Sequence, residues 1–155
     1  MVRYKRFFEI TIVVIVMLAT ILILPWLAFA YGFSGISPVN HYITIIFLAI
    51  WLLVLLLAVA MRSKMLFHMY NFYWLTVTVV CVYILFAIVV GLDFFEMIGM
   101  VLFAFFITPL LGFVVLLEGR TPNAIYVGIL IFALCLFFVG NFTKKKALKP
   151  TQDNF

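Results

Sequence analysis

The stretch DFFEMIGMVLFAFFITPLLGFVVLLEGR, residues 93–120, decides how the rest of the chain must be arranged. Asp93 and Glu96 stand at its front and Arg120 at its back, whereas residues 97–117 between them carry no charge. Such a segment crosses a bilayer, dips into it and returns, or packs inside a soluble core. The number of membrane crossings, and hence the side on which the chain ends, depends on which of these is true.

The composition of the chain excludes a soluble core. Of 155 residues, 69% are hydrophobic and only 10% are charged, against about 45–50% and about 25% in ordinary soluble domains. A domain of this size still exposes much of its surface, so the excess apolar residues cannot all be buried. We therefore predict an integral membrane protein, with the plasma membrane as the expected location.

The charge-free blocks predict the number of membrane spans, because about 20 apolar residues cross a bilayer as a helix. We predict an all-α, polytopic transmembrane bundle that forms one domain over residues 1–142, with spans at about 10–30, 41–61, 71–91, 97–117 and 124–142. Residues 143–155 form a polar, basic tail that we expect to be flexible.

Residues at the proposed joints are typical of helix starts. Asp93 and Glu96 have the spacing of a capping box. In that motif each of the two side chains accepts a hydrogen bond from the backbone N–H of the other residue. Pro38 and Pro122 suit the first position of a helix, where the missing N–H is not needed. These signals favour helices that begin close to the proposed boundaries.

The first apolar segment also raises the question of a cleaved signal peptide. Residues 1–6 are basic, and Ala28-Phe29-Ala30 resembles a cleavage site. The apolar stretch before that site is longer than the about 7–15 residues of a signal-peptide core. We therefore expect an uncleaved first span.

Basic residues in short loops predict the orientation, because they concentrate on the cytoplasmic side. The N-terminus carries Arg3, Lys5 and Arg6, whereas residues 31–40 carry no basic residue, so we expect a cytoplasmic N-terminus. If residues 97–117 cross, six basic residues lie inside and four outside; if they dip and return, nine lie inside and one outside. Charge alone therefore favours the dip.

Backbone chemistry favours the opposite conclusion. A re-entrant turn near Thr108 and Pro109 would leave peptide groups unpaired at membrane depth, which is tolerated only where protein or a water-filled cavity covers them. A continuous helix over residues 97–117 would reach about 31 Å, which is enough to span. We therefore predict five spans with a kink at Pro109, and four spans plus a re-entrant segment 97–117 as the alternative.

The sequence contains none of the motifs that would indicate catalysis or a bound cofactor. There is no HExxH, P-loop, GxGxxG or GxSxG pattern. No Asp, Glu, Lys, Arg or His lies in the interior of a proposed span, where proton relays and ion-coupled carriers usually place an ionisable group. Cys81 and Cys135 lie within apolar blocks and are expected to pack as small apolar residues. We expect no enzymatic activity, no metal, no cofactor and no nucleic-acid partner.

The remaining candidates are contact residues at the ends of spans. Lys144, Lys145 and Lys146 suit anionic lipid or a partner protein, and Asp93 and Glu96 suit a cation or a partner's lysine. The resulting hypothesis is an accessory, assembly or protective protein that acts by contact with lipids, with other membrane proteins or with itself. The alternative is a small transporter or channel subunit with Asp93 and Glu96 at its mouth.

Overall fold

The computed structural model describes residues 2–32, 38–90, 98–99, 101–102, 105–110 and 122–148, and their regular structure is helical. The elements are α1 (Val2–Met17), a π-helical turn (Leu18–Ile23), α2 (Leu24–Gly32), α3 (Pro38–Ala60), α4 (Lys64–Val90), a 3₁₀ turn (Thr108–Leu110) and α5 (Pro122–Ala147). α3 and α5 both begin at a proline, as their sequences indicate.

Among the described residues, four helical stretches are long and apolar enough to cross a membrane: Tyr4–Ala28, Val39–Ala60, Lys64–Val90 and Ala124–Ala147. This agrees with an all-helical integral membrane protein. The prediction of five spans is not confirmed, because the part of the chain that the structure describes contains four.

The first span is a helix that widens near its middle. The amide of Leu24 donates to the carbonyl of Ala19, five residues back, so the turn encloses one more residue than an α-helical turn. Pro25 follows directly and would crowd the carbonyl four residues before it in a regular α-helix. The buried Thr20 hydroxyl donates to the carbonyl of Val16 at 2.7 Å, adding a second competitor for backbone acceptors. Pro25 therefore accounts for the position of the wide turn.

A tight turn joins α3 to α4 and places their ends side by side. Ser63 N–H donates to the carbonyl of Ala58 at 3.0 Å and Arg62 N–H to that of Val59 at 3.1 Å, the paired bonds of a Schellman motif. Arg62 has φ 48°, the left-handed conformation that glycine usually supplies. Ser63 then caps α4, because its Oγ accepts from Leu66 N–H at 3.2 Å. α3 and α4 are therefore an antiparallel pair.

The core between α3 and α4 is aromatic. Trp51 of α3 stacks on Tyr73 of α4 with ring centroids 4.2 Å apart, and Phe47 and Trp74 meet edge-on at 6.1 Å. All four side chains are buried. Stacked and edge-to-face rings stabilise a contact beyond the area they bury, so this cluster fixes the α3–α4 pair.

α5 packs against α4 in the opposite direction. Asn71 Nδ2 of α4 donates to Asn141 Oδ1 of α5 at 3.0 Å. Gly140 lies so close to α4 that an added Cβ would clash with the Asn71 side chain and lie 2.7 Å from the Tyr70 ring. Close approach at a small residue is the usual way in which helices pair in a membrane. Gly140 is therefore a point of close contact between α4 and α5.

The contacts place three parts of the chain at one end of the bundle. Lys5 Nζ of α1 donates to the carbonyl of Met61 in the α3–α4 turn at 2.8 Å. Lys144 Nζ of α5 lies 3.3 Å from His68 Nε2 in the first turns of α4. The start of α1, the α3–α4 turn and the end of α5 therefore share one end, while α4 ends and α5 begins at the other.

The described part of segment 97–117 is not one continuous helix. Ile107 forms a turn and Thr108–Leu110 a 3₁₀ turn, with Leu110 N–H donating to the carbonyl of Ile107 at 2.7 Å. Ile107 and Leu110 are 0% exposed, and the Thr44 hydroxyl of α3 donates to the carbonyl of Pro109 at 2.7 Å. The sequence argument against an interrupted segment is therefore corrected: protein covers the turn, and its polar partner comes from α3.

Candidate functional site

Cations from three distant parts of the sequence gather at the end of the bundle where α1 starts. We call this end the basic face; its described members are Lys5, Arg6, Arg62, Lys64, Lys144, Lys145 and Lys146. Of the predicted contact residues, the structure brings the three lysines of α5 to this face. A surface on which cations concentrate attracts anions and raises their local concentration.

The three lysines occupy the last turn of α5 rather than a separate tail, because the helix continues to Ala147. Cations there interact favourably with the negative end of the helix dipole. Lys144 is half-buried beside His68, whereas Lys145 and Lys146 are exposed. Lys145 and Lys146 are therefore the members of this run that face outward to a lipid or a partner.

Lys5 has a structural role at the basic face. Its ammonium donates to the carbonyl of Met61, the residue directly after α3, where the last carbonyls of a helix lack partners within it. A cation at a helix C-terminus satisfies that acceptor and complements the helix dipole. Lys5 therefore ties the first span to the α3–α4 turn.

A groove of about 590 Å³ opens on the basic face between the start of α1 and the start of α4. Its cationic lining consists of Lys5, Arg6, Arg62 and Lys64, and Glu9 supplies one carboxylate. The groove has a size typical of small-ligand sites. Its net charge of +3, four cations against one acid, favours an anion over a cation there.

The cations of the groove served in the sequence analysis only as orientation signals, and Glu9 was missed altogether. It lies just outside the charge-free block and is only 8% exposed in the structure. A signal existed, because Glu9 is the only acid before Asp93 and follows Lys5 and Arg6 by four and three residues. That spacing makes Glu9 a neighbour of each of the two cations on the surface of a helix.

The other predicted contact pair, Asp93 and Glu96, lies outside the described residues, so its capping-box geometry and its position remain predictions. Within the described ranges, no three side chains of the metal-ligating types come together. Cys81 is buried and Cys135 exposed, and both thiols are free.

No protein-family model, no curated protein and no solved structure matches this chain.

Proposed function

We propose that this chain is a small multi-pass membrane protein without catalytic machinery that acts through its basic face, by contact with anionic lipids of the cytoplasmic leaflet. The observation that supports this most directly is the convergence of cations from α1, the α3–α4 turn and α5 on one end of the bundle. Each cation near an anionic leaflet contributes about 1 kcal/mol of attraction. Such contact suits an accessory, assembly or protective role in the plasma membrane.

The proposal includes a topology of four spans with both ends of the chain in the cytoplasm. The positive-inside rule assigns the basic face to that side. Because α4 ends and α5 begins at the opposite end, residues 91–121 leave from and return to the non-cytoplasmic side. Segment 97–117 is then re-entrant, in place of the fifth span.

Contacts along this segment support a turn back. Gly99 lies beside Ile84, near the far end of α4, and Phe106 contacts Tyr73, which is nearer the basic face. The Pro109 carbonyl then accepts from the hydroxyl of Thr44 in α3. Thr44 lies nearer to the far end of α3 than Phe47, which is the α3 residue that contacts Tyr73. The chain thus approaches the basic face until about Phe106 and recedes by Pro109. The buried turn suits a structural role better than a pore lining.

Lipid retention by the purified protein tests the proposal. In the variant Lys144→Gln/Lys145→Gln/Lys146→Gln we expect less co-purified anionic lipid, with zwitterionic lipid unchanged. The matched control is the triple arginine variant, which keeps the charge and should retain wild-type lipid. Equal loss in both variants, or no loss in either, would count against contact through the charge of this face.

Crosslinking in intact membranes distinguishes lipid contact from protein contact. A photoreactive group at position 145 should label lipid as its main product under the proposal. If the main product is instead a single membrane protein, the basic face contacts an acidic partner protein and not lipid.

A further inference from the structure

The groove between α1 and α4 differs from the rest of the basic face because it contains a carboxylate. Glu9 is nine-tenths buried, yet it makes no hydrogen bond or ion pair with any residue that the structure describes. Its carboxylate oxygens are not among the buried polar atoms that lack a partner, so they reach the surface of the groove. Glu9 is therefore open to a hydrogen-bond donor that enters the groove.

The cations of the groove are available to a ligand. Arg6, Arg62 and Lys64 make no ion pair or hydrogen bond through their side chains within the described residues, whereas Lys5 is held by Met61. Guanidinium groups bind phosphate through paired N–H donors, and a lysine adds a point charge. The groove thus provides phosphate-binding groups beside a carboxylate that lacks a donor.

The backbone at Arg62 supports a role beyond the turn itself. A left-handed residue at this position of a Schellman motif is usually glycine, which adopts it without strain. This chain places an arginine there with φ 48°. Residues held in such conformations tend to occur at ligand-binding positions.

An apolar path leads from the groove toward the middle of the first span. Ile10 lines the groove, and Ile10, Val14 and Leu18 follow one another at four-residue spacing with 50%, 49% and 47% of their surface exposed. Such spacing places them on one face of the helix. A lipid with its headgroup in the groove would lay an acyl chain along this face.

We propose that the groove binds the headgroup of one phospholipid, with the phosphate at Arg6, Arg62 and Lys64 and a hydroxyl or ammonium donor of the headgroup at Glu9. This inference rests on the proposed function and adds a defined site to it. The net positive charge favours an anionic headgroup with hydroxyl donors, such as phosphatidylglycerol. Phosphatidylethanolamine offers an ammonium donor and comes second, and phosphatidylcholine has no donor for Glu9.

The test is lipid binding to the full chain in detergent, measured by native mass spectrometry with these three lipids carrying identical acyl chains. We expect phosphatidylglycerol to bind about tenfold more tightly than phosphatidylcholine, which corresponds to about 1.4 kcal/mol. Equal affinity for the two lipids would overturn the proposal. Displacement of bound lipid by inorganic phosphate alone would overturn the lipid assignment and indicate a soluble phosphate ligand.

The variant Glu9→Gln distinguishes a hydroxyl donor of the headgroup from an ammonium donor. The glutamine oxygen still accepts from a hydroxyl but no longer attracts an ammonium, so the ratio of phosphatidylethanolamine to phosphatidylglycerol affinity should fall about tenfold. An unchanged ratio would remove Glu9 from the site.

Arg62→Gly removes a cation from the groove while supplying the residue that the turn normally uses, so a folded protein is expected. Binding of phosphatidylglycerol should fall about tenfold, which again corresponds to about 1.4 kcal/mol. The control is Lys145→Gln, which removes one charge from the same face outside the groove and should change binding much less.

Equal losses in Arg62→Gly and Lys145→Gln would overturn the groove while leaving the charged face as the lipid contact. No loss in either variant would also contradict the proposed function. The two failures are therefore distinguishable.

Discussion

Asn71 and Asn141 are joined by a side-chain hydrogen bond of 3.0 Å that runs from α4 to α5, one residue from the close approach of the two helices at Gly140. The Asn141 amide also donates to the carbonyl of Phe137 at 3.1 Å. The bond therefore connects a side chain of one helix to the side chain and backbone of the other. It fixes the register of the pair as well as its direction.

We expect this bond to show measurable coupling. In a double-mutant cycle of Asn71→Ala and Asn141→Ala, the interaction free energy should be about 0.6 kcal/mol and below about 1.7 kcal/mol, as for side-chain bonds between membrane helices. Reversible unfolding in mixed micelles gives the four stabilities. Strictly additive effects would mean that the bond contributes nothing to the α4–α5 pair.

Replacing Gly140 by alanine should destabilise the protein by about 1–3 kcal/mol, because the new methyl group overpacks the contact with α4. The sign is informative, since the same change in an unobstructed helix stabilises by about 0.5–1 kcal/mol. The measurement is again unfolding in micelles. In an Asn71→Ala background the loss should shrink, because one of the two clashing groups has gone; a larger loss there would contradict the packing.

Removing the Thr44 hydroxyl should weaken the turn at Thr108–Leu110. Thr44→Val keeps the shape but leaves the Pro109 carbonyl without this donor, which costs about 1–3 kcal/mol for a buried group. The control is Thr76→Val, because that hydroxyl donates to the carbonyl of Phe72 in its own helix at 2.8 Å. Equal stability of the two variants would show that the bond between α3 and the turn does not stabilise the protein.

The four-span topology predicts which positions an impermeant thiol reagent reaches in intact cells. On a background without Cys81 and Cys135, we expect Arg120→Cys to be labelled and Lys149→Cys to be protected until the cells are permeabilised. Five spans with a cytoplasmic N-terminus predict the reverse. The reverse pattern would restore the fifth span and place the lysines of α5 outside.

The sequence was sufficient to predict the membrane class and most of the helices. Charge-free blocks and prolines at helix starts are local signals, and they placed helices at Pro38 and Pro122 where the structure has them. The interruption of segment 97–117 could not be predicted, because it depends on a contact between residues far apart in the sequence. Thr44 is separated from Pro109 by 65 positions, and nothing in either neighbourhood indicates the bond.

The candidate site was predictable only in part. The lysine run of α5 is visible in the sequence, but its neighbours on the basic face depend on the antiparallel packing of α4 and α5. That packing relies on Gly140, and a single glycine beside an asparagine does not indicate in the sequence which helix it contacts. Glu9 was missed because it lies one residue outside the block that defined the first span.

The π-helical turn at Leu18–Ile23 bears on how the chain tolerates changes of length. Its i→i−5 bond encloses one residue more than an α-helical turn, so the first span holds a spare residue at that point. Deleting a single residue there can be absorbed by a return to α-helical winding, leaving Glu9 and Ala28 on the buried side. The regular helix α4 has no wide turn that could absorb a deletion. A deletion there would rotate everything beyond it by about 100° and carry Val77 and Cys81 out of the core and into contact with lipid.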